Sequence, residues 1–456
     1  MELLKQIANI VSGFVWGPYM LIFLVGTGVY LTIGVKFRTL TRIPQAFKML
    51  MAGRDKDSQT GEGDITPFQS LMTSLAATVG TGNIAGVATA IFLGGPGAIF
   101  WMWVTALFGM AIKMGEAVLA VMHRELNEET GKFAGGPMYY IKNGMGDNWN
   151  WLGSAFALFA GVAAFGIGCT VQSNSVAQAV HSNFGVPGYV TGIALAVLTY
   201  VVIIGGIERI ADVTEKLVPI MASVYIIGSI IIIFFNIEDL IPAFKLIFNS
   251  AFNGHAATGG FAGAAVLQGI RYGVSRGVFS NEAGLGSAAI AHAATTVDRP
   301  AKQGIVAMLG GFLDTIVICT MTALIIIMTG AWDSGITGAA LTSKAFNIGL
   351  PGPGGFIVAF GLIFFSFSTI LTWSYYGEKS FEYFFGSKVI MPYRYIWVAA
   401  VFLGAVSNLD VVWAIASAMN GLMIVPNLIA VLALSPSIFK EFNEYIDEED
   451  KKLLDA

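Results

Sequence analysis

The chain has 456 residues, is 55% hydrophobic and only 12% charged, and has a mean hydropathy of +0.71, against roughly 25% charged residues in a soluble domain. That composition belongs to a polytopic membrane protein and leaves no stretch for a separate soluble domain. A net charge of −4, a pI of 5.6 and the lack of any basic run interleaved with aromatics exclude a nucleic-acid partner. The 55 glycines and 33 phenylalanines fit closely packed membrane helices. Cys169 and Cys319 both lie in apolar stretches, which supports neither a disulfide framework nor a thiolate metal site.

Apolar runs able to cross about 30 Å of hydrocarbon fall at residues 12–35, 68–93, 97–121, 151–179, 188–207, 217–236, 262–292, 304–330, 355–377, 390–407 and 411–435. They predict an all-α membrane protein of eleven transmembrane helices. The first run follows a single Lys and lacks a cleavage pattern, so it reads as a retained helix. With the loop at 36–56 on the cytoplasmic side, only Lys5, Lys245 and Lys344 among 25 Lys and Arg stay outside, and three fall within the membrane. The positive-inside rule then places the protein in the cell membrane with its amino terminus outside and its carboxy terminus cytoplasmic. The acidic tail EFNEYIDEEDKK reads as a solvated end, with a regulatory contact as the alternative.

Two glycine-rich interruptions stand inside these runs, AATVGTGNIAG at 76–86 and GVFSNEAGLGS at 277–287, and share the pattern N-x-A-G-x-small. Irregular backbone at membrane depth is tolerated where it faces protein or a wet cavity. The interrupted runs are the second and the seventh, and an odd offset inverts one relative to the other. The expected organisation is an extra amino-terminal helix with a cytoplasmic linker (1–66), two five-helix inverted repeats (67–240 and 241–438), and a cytoplasmic tail (439–456). Such paired breaks point to a secondary transporter with its site near the midplane. Chance recurrence in a Gly/Ala-rich chain is the competing account of the six-residue match; the odd offset and the matched depth count against it.

Unwinding at Gly80 and Gly82 would free backbone groups of Thr78, Val79, Thr81 and Asn83. The half-helix starting near Asn83 would aim its positive end at a carboxylate, while carbonyls, the Thr78 hydroxyl and the Asn83 amide oxygen suit a hard monovalent cation. A glycine face for close helix packing uses the same residues. In the other half, Gly273, Ser275 and Gly277 are candidates to receive an ammonium group and Phe279 to bound the side-chain pocket, with Asn281 beside them. Phe165, Gly168, Cys169 and Gln172 follow i, i+3, i+4, i+7 spacing, and Gln172 reads either as a substrate contact or as a helix–helix hydrogen bond. Ser368 and Thr369 offer adjacent hydroxyls to a sodium-sized ion or, alternatively, to their own i−4 carbonyls. Arg276 is expected to pair with Asp314 or Glu282, because an unpaired charge at the bilayer centre is costly. Lys113 and Glu116, three residues apart, read as a local interfacial pair.

Residues 94–109, GGPGAIFWMWVTALFG, resemble the signature of the alanine or glycine:cation symporter family, and the similarity runs through both broken segments. The resemblance implies a LeuT-type fold and import of a small neutral amino acid, alanine or possibly glycine, with sodium as the co-transported ion and no organic cofactor. It further implies that Gly80, Thr81 and Gly82 hold the substrate carboxylate, and that Thr78 and Asn83 serve both substrate and ion. Ser368 and Thr369, with the carbonyls of Ala76 and Val79, would form a cation-only site. Proton coupling, a channel and an intramembrane enzyme are the rival readings. The four histidines, His123, His181, His255 and His292, form no H-E-x-x-H motif, and no repeated selectivity filter is evident. Substrate choice among alanine, glycine and serine, stoichiometry and oligomeric state stay open at this level.

Overall fold

A computed structural model describes residues 2–55, 59–253 and 262–454, so His255 lies outside the described residues. Among the described residues the regular elements are helices apart from one antiparallel hairpin, β1 (Glu125–Asn127) with β2 (Lys132–Ala134), and two isolated bridges, Glu62 with Val297 and Ile65 with Thr295, a small departure from the all-α expectation. Among the described residues seven helical stretches are long and apolar enough to cross a membrane, and two bent helix pairs raise the number to nine. The eleven expected spans require in addition the 16-residue helix Gly188–Ile203 and the segment from Ala262 to Ala293.

The first bent pair is α1 (Glu2–Val15) and α2 (Pro18–Gly34), which meet at 42°. Pro18 causes the break, since its ring has no N–H to continue a helix and disfavours helical backbone before it. The second pair is α3 (Pro67–Thr78) and the stretch from Gly82 into α4 (Val87–Gly94), bent by 52°. A capping box starts α3: Thr66 Oγ1 accepts the Gln69 N–H, and Gln69 Oε1 accepts the Thr66 N–H, both at 3.1 Å. Next come α5 (Ala98–Met122), α6 (Asn150–Ala163) and α7 (Val171–Phe184), the last two joined by a π-helical turn at Ala164–Thr170.

In the second half, α8 (Ala262–Asn281) and α9 (Ser287–Ala293) flank a non-helical stretch, and α10 (Pro300–Gly311) runs into a π-helical segment at Phe312–Cys319. The 32-residue α11 (Gly354–Phe385) and then α12 (Asp410–Ala433) complete the bundle. Helix α5 lies at its centre, against both α8 and α10. Close approach there uses small residues: a Cβ on Gly109 would sit 2.8 Å from Ala283 Cβ. The first half of this broken span, α3, packs on α9, and the second half, α4, packs on α8.

The tail is not a free solvated end. It forms α13 (Ser435–Leu454), whose acidic face is bound: Arg42 reaches Asp450 at 2.6 Å, Arg38 pairs with Asp447, and Arg299 reaches Glu441 at 3.1 Å and Glu448 at 3.2 Å. The neighbouring Arg38 guanidinium holds the Asp447 carboxyl below its ordinary range. Phe439 packs on Gly34 so closely that a Cβ there would lie 2.1 Å from its ring. Gly34→Val is therefore expected to undock α13, visible as faster proteolytic removal of the tail from inside-out vesicles; an unchanged cleavage rate would show that the charged contacts hold the helix alone.

Candidate substrate and cation site

Helix α3 stops at Thr78, and Val79 turns to φ −77°, ψ 92°. The Gly80 N–H, which would otherwise be orphaned, donates to Asn83 Oδ1 at 2.9 Å. Asn83 is fully buried in a π-helical turn, Gly82–Gly86, whose Ile84 carbonyl accepts the Thr342 hydroxyl at 2.9 Å. Such turns recur at functional sites, since they leave carbonyls outside the regular ladder.

The middle of α11 lies alongside. Ser368 Oγ and Thr369 Oγ1 both donate to the Ala76 carbonyl, at 3.2 and 3.1 Å, and Thr369 also reaches the Ala77 carbonyl at 3.4 Å. Each hydroxyl is also 2.9 Å from the Phe365 carbonyl of its own helix, the i−3 carbonyl for Ser368 and the i−4 carbonyl for Thr369, so the back-bonding read from the sequence is present alongside the contact with α3. A Cβ on Gly80 would fall 2.8 Å from Thr369 Oγ1, which explains the need for glycine at this contact. The Thr78 hydroxyl points back into α3, donating to Ser74 at 3.3 Å and Leu75 at 3.2 Å.

Gln172 on α7 closes another side. Its Nε2 donates to Thr81 Oγ1 at 3.4 Å and to the Ile167 carbonyl at 2.9 Å, while its Oε1 is buried with no partner among the described residues. A buried acceptor without a donor is unusual and invites one from a ligand. A cavity of about 450 Å³, within the size range of small-molecule sites, leads away from Thr81 and is lined by Ala85, Gln178, Ser182, Ser343 and Leu362 among others.

The other expected contacts fall differently. Phe165 does not share the Gln172 face: the π-turn rotates it into an aromatic cluster with Tyr393 at 5.4 Å and Trp397 at 5.3 Å. Gly168 packs on Trp373 so closely that a Cβ on Gly168 would lie 2.3 Å from Trp373 Cβ, and Cys169 lies 3.9 Å from the Trp397 carbonyl. Gly273 and Gly277 sit in unbroken α8, where they admit α5: a Cβ on Gly273 would be 2.4 Å from the Ala98 carbonyl oxygen, and one on Gly277 would be 3.4 Å from Met102 Cα. Ser275 Oγ donates to the Tyr272 carbonyl at 3.5 Å, and Phe279 lies under the Arg276 guanidinium at 5.9 Å.

The second break thus runs from Glu282 to Gly286, inside the expected interruption at 277–287, while the candidate ligands Gly273, Ser275 and Gly277 precede it in α8. Glu282, Gly284 and Gly286 take positive φ of 57°, 88° and 78°. The non-glycine Glu282 is held in that sparsely populated region by Ser287 Oγ at 2.7 Å and Trp373 Nε1 at 3.0 Å, both donating to its carboxylate. Glu116 Oε1 accepts the Gly284 N–H at 3.1 Å and Asn427 Nδ2 at 2.6 Å. Lys113 and Glu116 are therefore buried components of the core and not an interfacial pair, and Lys113 Nζ has no hydrogen-bond partner among the described residues.

The expected ion pair of Arg276 is also absent among the described residues: neither Asp314 nor Glu282 reaches it. Asp314 instead accepts Asn83 Nδ2 at 2.7 Å on Oδ1, and Ser280 Oγ at 2.9 Å and Thr315 Oγ1 at 2.8 Å on Oδ2. Sequence reasoning missed Ser280, Trp373 and the Asn83–Asp314 contact. The cost of an intramembrane carboxylate flagged Asp314, but its partner is distant in sequence.

The profile of the sodium:alanine symporter family matches residues 1–455. The sodium/alanine symporter AgcS of Methanococcus maripaludis is 51% identical over 98% of this chain and 99% of its own length. The probable sodium/glutamine symporter GlnT of Bacillus subtilis is 37% identical over 97% of this chain and 91% of its own. Among solved structures, a manganese transporter of Eremococcus coleocola superposes with a TM-score of 0.54 over 83% of this chain and 80% of that one, at 14% identity, a likeness of fold alone. With its family profile matched from end to end and its paired broken helices in place, this multi-pass membrane chain belongs to the sodium:alanine symporter family.

Proposed function

We propose that this chain imports a small neutral amino acid, alanine before glycine, together with sodium by alternating access, with its amino terminus outside and its carboxy terminus cytoplasmic. The observation that carries the reading is the convergence of the Ser368 and Thr369 hydroxyls on the Ala76 carbonyl beside the break in the first broken span. Sodium takes its ligands from this cluster, with Val79, Thr78 and Asn83 completing the oxygen shell once the hydroxyls rotate toward the ion. The amides of Gly80, Thr81 and Gly82 hold the substrate carboxylate at the end of the outer half-helix, and the unpartnered Gln172 Oε1 receives its ammonium group. The archaeal relative's alanine, at 51% identity, favours that substrate over the glutamine of the 37% identical relative.

An eleven-span, five-plus-five inverted repeat of LeuT type belongs to the same reading. Contact of α3 with α9 and of α4 with α8 supports it, because the halves match in this way when the two broken spans run in opposite directions. On the inner side the two broken spans are tied together, with Ser70 Oγ 2.9 Å from His292 Nδ1 and the Asp64 N–H donating to the Ala294 carbonyl at 2.7 Å. The cavity at Thr81 lies on the other side, which favours a conformation loaded from outside. One cation crossing 100 mV supplies about 2.3 kcal/mol, roughly a 50-fold accumulation.

The test is labelled-alanine uptake into proteoliposomes with sodium and pH gradients imposed separately. Saturable uptake that follows the sodium gradient is expected. Uptake driven by pH alone would transfer the cation site to protons, and non-saturable flux driven by neither gradient would favour a channel.

A further inference from the structure

The geometry points to Asp314 as the positioning residue of the cation site, an inference that rests on the sodium-coupled reading above. Asp314 is fully buried at the π-helical segment that follows α10, and among the described residues it makes no ion pair. Its three hydrogen-bond donors, the Asn83 amide and the Ser280 and Thr315 hydroxyls, are all neutral. A buried carboxylate ordinarily meets a positive partner or a metal. Here the side chain aligned with it belongs to the proposed cation shell.

A carboxylate accepts hydrogen bonds and cannot donate them, so Asp314 fixes which end of the Asn83 amide faces it. Nδ2 turns toward Asp314, and Oδ1 is left toward the break, where it accepts the Gly80 N–H at 2.9 Å. The Gly80 N–H and the Asp314 backbone carbonyl, 3.4 Å from Nδ2, favour the same orientation, and the carboxylate reinforces it, because a flipped amide would set Oδ1 against two acceptors and aim N–H groups at the cation. The charge acts in the same direction, because an anion one side chain away from the ion favours its binding in a low-dielectric interior, and Lys113, the cation that acts on Asp314 through space, makes neither an ion pair nor a hydrogen bond with it among the described residues. Ser280 adds a mechanical link. It closes the last turn of α8 just before the second break, and Gly82 lies against its backbone, with a Cβ there 3.2 Å from Ser280 Cα. Asp314 thus joins the ion's oxygen shell to both broken helices, so occupancy at one is felt at the other.

The experiment measures thermal unfolding of the purified full chain in detergent against sodium, with choline as the replacing ion, and against alanine at saturating sodium. Sodium is expected to raise the midpoint of the parent protein; if it does not, the sodium-coupled reading itself fails. For Asp314→Asn the sodium concentration giving half the shift is expected to rise at least 10-fold, while the alanine dependence at saturating sodium changes less than 3-fold. Asp314→Glu is expected to recover part of the sodium affinity. Should Asp314→Asn not fold, Ser280→Ala is expected to weaken sodium binding about 3-fold without altering alanine binding. A sodium dependence unchanged in the variant that folds, or equal losses for sodium and alanine, would overturn the assignment.

Discussion

Thr369→Val is expected to raise the sodium concentration that half-saturates alanine uptake by about 30-fold, or about 2 kcal/mol. Valine keeps the shape of the side chain and removes the oxygen, so packing against Gly80 is preserved while the cluster at the Ala76 carbonyl loses one of its two hydroxyls. Thr372 provides an internal control. One turn further along α11, its hydroxyl donates to the Thr73 carbonyl at 3.1 Å, the same chemistry away from the break. If these bonds only glue α11 to α3, Thr372→Val and Thr369→Val will affect stability and sodium dependence alike. If the contact at Ala76 is the ion's ligand set, Thr372→Val will leave the sodium dependence within about 3-fold. Sodium titration of labelled-alanine uptake in proteoliposomes separates the two, and equal shifts would sink the ligand assignment.

Membrane class and the position of the first break were legible because composition and the clustering of Gly80, Gly82 and Asn83 each have one dominant physical meaning. The ligand positions expected at the second break, Gly273 and Gly277, were displaced from it because glycine has two. At Gly273 and Gly277 it removes a Cβ so that α5 can approach, whereas Gly284 and Gly286 adopt left-handed backbone. Spacing alone does not separate the two uses. Phe165 failed for a different reason: the i, i+7 relation to Gln172 assumes 3.6 residues per turn, and a π-turn lies between them. The cost of Asp314 was visible, but its partner Asn83 is 231 residues away, and pattern reasoning reaches only along one helix. The acidic tail misled in the same way, since its basic partners Arg38, Arg42 and Arg299 come from two distant loops.

The inner closure leads to the second large effect. Arg124, just beyond the end of α5, donates to three carbonyls: Glu62 at 2.7 Å, Ala293 at 2.9 Å and Thr295 at 2.6 Å. These belong to the loop entering the first broken span and the end of the second, so one side chain clasps both. Its guanidinium stacks on Phe133 at 4.2 Å, and the Phe133 N–H donates to Asp64 at 2.9 Å, which fixes the hairpin as a backstop. Burial lowers the Arg124 pKa, and the charges of Asp64 and Glu62 oppose that shift. Gly61 and Gly63 let the segments 61–65 and 295–297 run side by side, since a Cβ on either would lie 2.4 Å from the Val297 or Thr295 backbone. Charge-assisted bonds contribute about 1.5–3 kcal/mol each, partly replaced by water when the clasp opens, so Arg124→Ala is expected to favour the inward-open state by about 2 kcal/mol. The population shift then lowers apparent alanine affinity from outside by up to about 30-fold. A cysteine introduced by Ala77→Cys, otherwise 4% exposed, should react correspondingly faster with an impermeant maleimide applied from the cytoplasmic side. Cys169 and Cys319 are buried and give little background. Arg124→Lys, which keeps the charge but not the three-way reach, should fall between. Labelling of Ala77→Cys at the parent rate in the Arg124→Ala background would show that the backbone bridges alone hold the inner side shut.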